Sequence, residues 1–270
     1  MYKRQSTDIF PSVDIKGGVA ITLYDKEQDF GSIGTFSTHE ELSSILAKVV
    51  SFGNFESFAT LVYPRDLYHL TDKLYEDHPE LENRQSSGHK YDVGSGVFDV
   101  LPDLFFDVKP SDEKEYAQVY GRQGNTRFTK WIDSSYLKVP DNFEYYKVFV
   151  AKTNGTGALG EVLSQPIVAS PNVAHTVTFL SIGKCQNKEE AIAIYKYIQT
   201  KFARALLATL KVTQDNPRDT WSNIPIQDFS TSSDIDWSLS ISDIDKQLYQ
   251  KYGLSHTERL FIESNIKPME

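Results

Sequence analysis

The residues of this 270-residue chain best suited to metal chemistry are Asp103, Asp107 and Lys109 in PDLFFDVK, two acids with a lysine close behind. Two carboxylates can hold a magnesium ion and a lysine can help to activate water, which is the chemistry of a metal-dependent nuclease. The two acids of such a set normally come from separate strands of a hairpin, and four residues leave no room for one, so a chance arrangement is the stronger reading. A second pattern, DVGSGVFDV at 92–100, has the D-x-x-G-x-G-x-F spacing of a cofactor loop. Such a loop must leave a buried strand and open a helix. Here RQSSGHK precedes it and Pro102 would interrupt the helix. A third, NGTGALG at 154–160, could cradle a phosphate with its backbone amides but lacks the Lys-Ser/Thr that completes a P-loop. The six histidines have no zinc-site spacing, and no Gly-x-Ser-x-Gly occurs.

A different chemistry is offered by YAQVYGRQ and TRFTKWI, which flank Gly124-Asn125, a two-residue turn of the glycine-first kind. That turn sets Gln123 opposite Thr126 and Arg122 opposite Arg127, and alternation puts Val119, Phe128 and Ile132 on a core face. The other face then carries Tyr120, Arg122, Arg127, Thr129 and Trp131. Like charges directly opposite one another destabilise a strand pair unless an anion or carboxylate lies between them. A two-stranded ribbon fits the DNA major groove, where arginine bonds guanine O6 and N7 bidentately. Arg122, Gln123, Asn125, Arg127 and Lys130 of the hairpin, with Lys152 and Asn154 of the glycine-rich loop, are therefore the candidate DNA-binding residues.

The elements that must position them follow from pattern. Val19 to Tyr24 reads as a strand after Gly17-Gly18. Thr38 with Glu41 caps a helix over Leu42, Ile45, Leu46 and Val49, and the segment from Asp77 to Gly96 reads as an exposed loop. Tyr145 to Ala151 and Thr176 to Ile182 read as strands. Asn187 with Glu190 opens one long helix to about Lys211, burying Ile194, Ile198, Phe202, Leu206 and Leu210 and leaving Lys196, Arg204 and Lys211 on its other, solvated side. Ser240 with Asp243, and Ser255 with Glu258, open two short helices around Gly253.

Charge is uneven along these elements, although the chain as a whole carries -9. Residues 1–115 hold 11 basic and 21 acidic side chains, residues 116–218 hold 13 and 7, and residues 219–270 hold 4 and 9. A basic middle between acidic flanks suits local anion binding without adhesion to every polyanion. The single cysteine, Cys185, excludes an internal disulfide. There is no apolar run of membrane-spanning length and no signal-peptide pattern, so a cytoplasmic setting and no membrane partner are expected.

Three stretches together resemble a known family. FPSVDIKGGVAITLYD is similar to the late F-P motif and following strand of amino-group adenine DNA methyltransferases. VYGRQGNTRFTKWID with YYKVFVAKTNGTGALGE resembles their TaqI-like specificity region, and KFARALLATLKVTQDNPRDTWSNIPIQDFS through SSDIDWSLSISDIDKQLYQKYGLS resembles the C-terminal end of single-polypeptide restriction-modification proteins. The likeness covers roughly residues 8–30 and 116–267, and it implies a Rossmann-like domain that binds S-adenosylmethionine, joined to a domain that reads DNA. Phe10 would match the phenylalanine that stacks on the flipped-out adenine, since an extruded base needs an aromatic partner. No Asn/Asp-Pro-Pro box is present, so the chain lacks both the cofactor loop and the catalytic loop of the family.

The expected architecture is α+β: residues 1–30 the end of a methyltransferase domain with its last strands, 31–115 a partly helical connection, 116–230 a mixed-sheet target-recognition domain with a long helix, and 231–270 a helical pair. The expected partners are double-stranded DNA and the methyltransferase domain that precedes these residues in a full-length enzyme. S-adenosylmethionine would bind that enzyme and not this chain, which is expected to be inactive alone. Two rivals stand beside this reading: the metal-dependent nuclease of Asp103, Asp107 and Lys109, and a protein-interaction module docking through the acidic C-terminal helices.

Overall fold

The computed structural model describes residues 2–4, 12, 19–29, 35 and 37–269. Two short strands, β1 (Tyr2–Arg4) and β2 (Val19–Ile21), pair antiparallel. Helix α1 (Glu40–Ser51) buries Leu42, Ile45, Leu46 and Val49, as its spacing requires. Its cap differs from expectation, because His39 takes the N-cap position and no side chain bonds there.

Residues 77–96 form a mostly exposed connection, as their charges suggest, anchored at two buried points. After β3 (His69–Leu70) and the one-and-a-half-turn α2 (Asp72–Asp77), tight 3₁₀ turns at Pro79–Leu81 and Ser87–His89 fold the segment back, and Leu81 and Val93 are buried. The single turn α3 (Val97–Val100) then drives Phe98 into the same core.

The hairpin forms with the expected register. Strands β4 (Tyr116–Gln123) and β5 (Thr126–Asp133) pair with Arg122 opposite Arg127 and Gln123 opposite Thr126, and Gly124 takes the φ of +56° that the glycine-first turn demands. Val119 and Ile132 are buried against Phe98, Leu101, Leu104 and Phe105. Gly121 permits this packing, since a Cβ there would collide with the Phe98 ring and the Thr176 methyl group. Beyond β6 (Leu137–Lys138), which pairs with β3, come β7 (Tyr146–Ala151), β8 (Ile167–Ala169), β9 (Val173–His175) and β10 (Phe179–Cys185). One sheet has the order β5-β4-β9, with β9 parallel to β4, and the other has the order β10-β7-β8. The strand expected over Thr176 to Ile182 starts later and runs on to Cys185: residues 176–178 turn the chain from β9 in the hairpin sheet into β10 in the other.

The long helix is divided. It is α4 (Lys188–Gln199) and α5 (Lys201–Leu207), separated at Thr200, whose ψ of 148° is extended. The Thr200 hydroxyl accepts from the Ala203 amide at 3.1 Å and donates to the Tyr197 carbonyl at 2.7 Å, so the break is a cap. Helices α6 (Ile241–Lys251) and α7 (His256–Asn265) complete the chain and carry the expected serine caps. On α6, the Asp245 carboxylate accepts from the Lys201 and Phe202 amides at 3.0 and 2.8 Å and so caps α5 from outside it.

Two cores result, and the chain is α+β. The larger packs α1 and α4 to α7 on the sheet of β7, β8 and β10, and the smaller packs residues 68–143 on the hairpin. A small apolar seam of Phe149, Ala151, Ala169, Val173 and Phe179 joins them through Tyr120. Among the described residues no helix is long and apolar enough to cross a membrane.

Candidate nucleic-acid interface

The seven candidate residues separate once the register is known, because residues paired across a sheet point to the same side. Arg122, Gln123, Asn125 and Arg127 are all exposed at the hairpin tip. Arg122 and Arg127 share one side, and among the described residues the Arg122 guanidinium has no hydrogen-bond or ion-pair partner. Arg127 is partly engaged: its Nη1 donates to the Gln165 carbonyl at 3.3 Å and its guanidinium lies 5.4 Å from the Phe179 ring centre. Gln123 points the other way and donates to the Asp99 carboxylate.

Lys130 is not on the arginine side. It pairs with Val119, extends past the Phe98 and Phe128 rings at 5.8 and 5.5 Å, and reaches Asp107 at 3.2 Å. The supposed ribbon is itself half covered, because Tyr120 packs on Phe149 and Phe179 of the second sheet. That contact brings the hairpin beside the glycine-rich loop. Phe179 pairs with Ala151 on the seam side, and the Lys152 amide donates to the Thr178 carbonyl at 2.9 Å. The Lys152 ammonium is half-buried and has no partner among the described residues. Arg122 and Arg127 are therefore the cations paired at the hairpin tip, and the local field there favours an anion.

Asn154 serves the fold. Its side chain donates to the Val162 carbonyl at 2.7 Å and accepts from Asn216 at 2.6 Å. The basic residues expected on the solvated side of the long helix are likewise committed. Lys196 donates to three consecutive carbonyls, those of Trp237, Ser238 and Leu239. Arg204 and Lys211 are buried, so the pattern that made them a solvated face missed the covering segments at 154–163 and 265–267. Phe10, matched by resemblance to the residue that stacks on a flipped base, lies outside the described residues.

The acidic set does not assemble as a metal centre. Asp103 faces Arg84 at 3.3 Å, Asp107 faces Lys130, and Lys109 sits 5.6 Å from the Trp131 ring centre. Among the described residues no group of three or more His, Cys, Asp or Glu could hold a metal ion. The pattern at 92–100 does not fit S-adenosylmethionine either: a 3₁₀ turn and not a strand precedes it, and α3 is a single turn. The acidic C-terminal helices are packed on their own chain, with Ile244, Leu248, Tyr249 and Ile262 in the larger core.

No family model matches the chain, and no curated protein matches its sequence.

Proposed function

We propose that this chain recognises double-stranded DNA as the specificity part of a site-specific adenine-N6 DNA methyltransferase of the restriction-modification type. The observation that carries the reading is the hairpin tip, where Arg122 and Arg127 stand opposite one another on an exposed side and Arg122 is unpartnered among the described residues. Two guanidiniums so placed favour a phosphate or a guanine edge between them. Lys152, without a side-chain partner among the described residues, is a further cation suited to the DNA backbone, and the chain's acidic flanks limit adhesion elsewhere. Specific readout would come from Arg122, with Asn125 beside it at the tip, while Gln123 is held by Asp99 on the other side and Arg127 holds the hairpin on Phe179.

In this reading the methyltransferase chemistry belongs to a Rossmann-like domain whose last strands are residues 1–30. That domain supplies S-adenosylmethionine and the catalytic loop, Phe10 stacks on the extruded adenine, and the enzyme works in the cytoplasm. Residues 68–105 brace the hairpin from its core side through Phe98. The test is selection from a randomised duplex library by the purified chain. Enrichment of one short sequence is expected. A library that emerges unenriched, with binding that only tracks salt, would remove the specificity claim.

A further inference from the structure

The glycine-rich loop holds an anion already, and that anion is the chain's own Glu161. Its carboxylate accepts from the Thr156 amide at 2.8 and 2.9 Å, from the Thr156 hydroxyl at 2.8 Å and from the Gly157 amide at 3.0 Å. Gly155 and Gly157, at φ +61° and +93°, turn these amides inward as an anion nest. A Cβ on Gly155 would overlap the Glu161 carboxylate. Lys211, 7% exposed, places its ammonium 3.8 Å from the same group. Burial alone would raise the Glu161 pKa, yet the Thr156 and Gly157 donors and the Lys211 charge outweigh it and hold the pKa below the usual carboxylate value.

The frame around this carboxylate is built without it. The Asn154 amide donates to the Gln214 carbonyl at 2.9 Å, and Lys211 donates to the Asn154 and Thr213 carbonyls at 3.0 and 2.9 Å. The Lys267 amide closes on the Gly160 carbonyl at 3.1 Å, and Arg204 holds the Glu161 main-chain carbonyl at 3.3 Å. Only the Glu161 side chain must rotate for the nest to empty. That side chain is 24% exposed, and a cavity of about 20 Å³ lies between it, Arg204 and Lys211.

We propose that the Thr156 and Gly157 amides, the Thr156 hydroxyl and the Lys211 ammonium form a phosphate-binding site that Glu161 holds closed, and that a phosphate group competes with the Glu161 carboxylate for it. The inference does not rest on the DNA reading, because its first probe is inorganic phosphate. Phosphate is titrated at constant ionic strength into the wild-type chain, Glu161→Ala, Glu161→Gln and the control Glu189→Gln, with the Thr156 and Gly157 amide resonances followed. Freeing the Thr156 amide and hydroxyl and the Gly157 amide, and removing the charge that faces Lys211, should strengthen phosphate binding at least about tenfold in Glu161→Ala, with Glu161→Gln intermediate, Glu189→Gln at the wild-type value and the two amides shifting. Equal affinity in all four proteins, unmoved amides, or the same gain in Glu189→Gln would overturn the site. If Glu161→Ala fails to fold, Glu161→Gln, which keeps an acceptor for the loop, carries the same comparison. A random-sequence duplex separates the sources: a parallel gain in duplex affinity identifies the DNA backbone, and a gain for inorganic phosphate alone identifies free phosphate.

Discussion

Glu258 binds α1 to α7 through one carboxylate. It accepts from Lys48 Nζ at 2.6 Å, from the Ser44 hydroxyl at 2.8 Å and from the Ser255 amide at 2.5 Å. Burial pushes its pKa up, but the Lys48 ammonium and these hydrogen bonds outweigh burial and hold it at about 2. The native state therefore binds this proton more weakly than the unfolded chain does. Its contribution is complete above about pH 4.5 and is lost as pH falls toward 2, and it amounts to roughly 3 kcal/mol. Denaturant titrations between pH 6 and 2 should show that loss in the wild-type chain and a flatter acid limb in Glu258→Gln. Equal acid slopes would refute it. The serine-to-glutamate capping box was legible in the sequence, whereas Ser44 and Lys48 lie more than 200 residues away and nothing local points to them. Lys130 was legible and was missed: two residues from both Phe128 and Ile132, it must share their side of the strand.

At the scale of elements, the hairpin, its register and the buried stripe of α1 could be read directly, because turn chemistry and periodicity are local. The break at Thr200 could not. Apolar spacing reports where side chains point, and it continues across a single extended backbone angle that Asp245, from another helix, helps to hold. Asn187 caps α4 by accepting from the Glu190 amide at 2.9 Å, so Asn187→Ala should cost about 1 kcal/mol. Phe202, fully buried and stacked on Tyr252 at 5.0 Å, should cost about 3 to 5 kcal/mol as Phe202→Ala through the cavity it leaves. Urea midpoints check both, and an unchanged midpoint for Phe202→Ala would mean that α5 does not face the core. Gly121→Ala places a methyl group against Phe98 and Thr176 and should cost about 1 to 3 kcal/mol by overpacking; a neutral result would contradict the close approach of α3 to β4.

For the whole molecule, the basic middle and acidic flanks were plain in the sequence, but not the way a parallel β9 and the Tyr120 seam fold one sheet against the other. That nonlocal contact decides which cations gather. It leaves Arg122 without a partner among the described residues and commits Arg127 to Phe179 and Gln165. A double replacement of both arginines would mix a structural loss with a binding loss, so Arg122→Ala alone, measured for duplex affinity, salt dependence and site preference, tests the central claim most directly. Because Arg122 has no partner among the described residues, stability should stay within about 0.5 kcal/mol of wild type. Binding should weaken by about 1 to 3 kcal/mol with relaxed preference at one base pair if Arg122 reads a base, or weaken on all sequences with the salt slope reduced by about one unit if it meets a phosphate. An Arg122→Ala chain with unchanged affinity, salt slope and site preference would contradict DNA recognition by this hairpin.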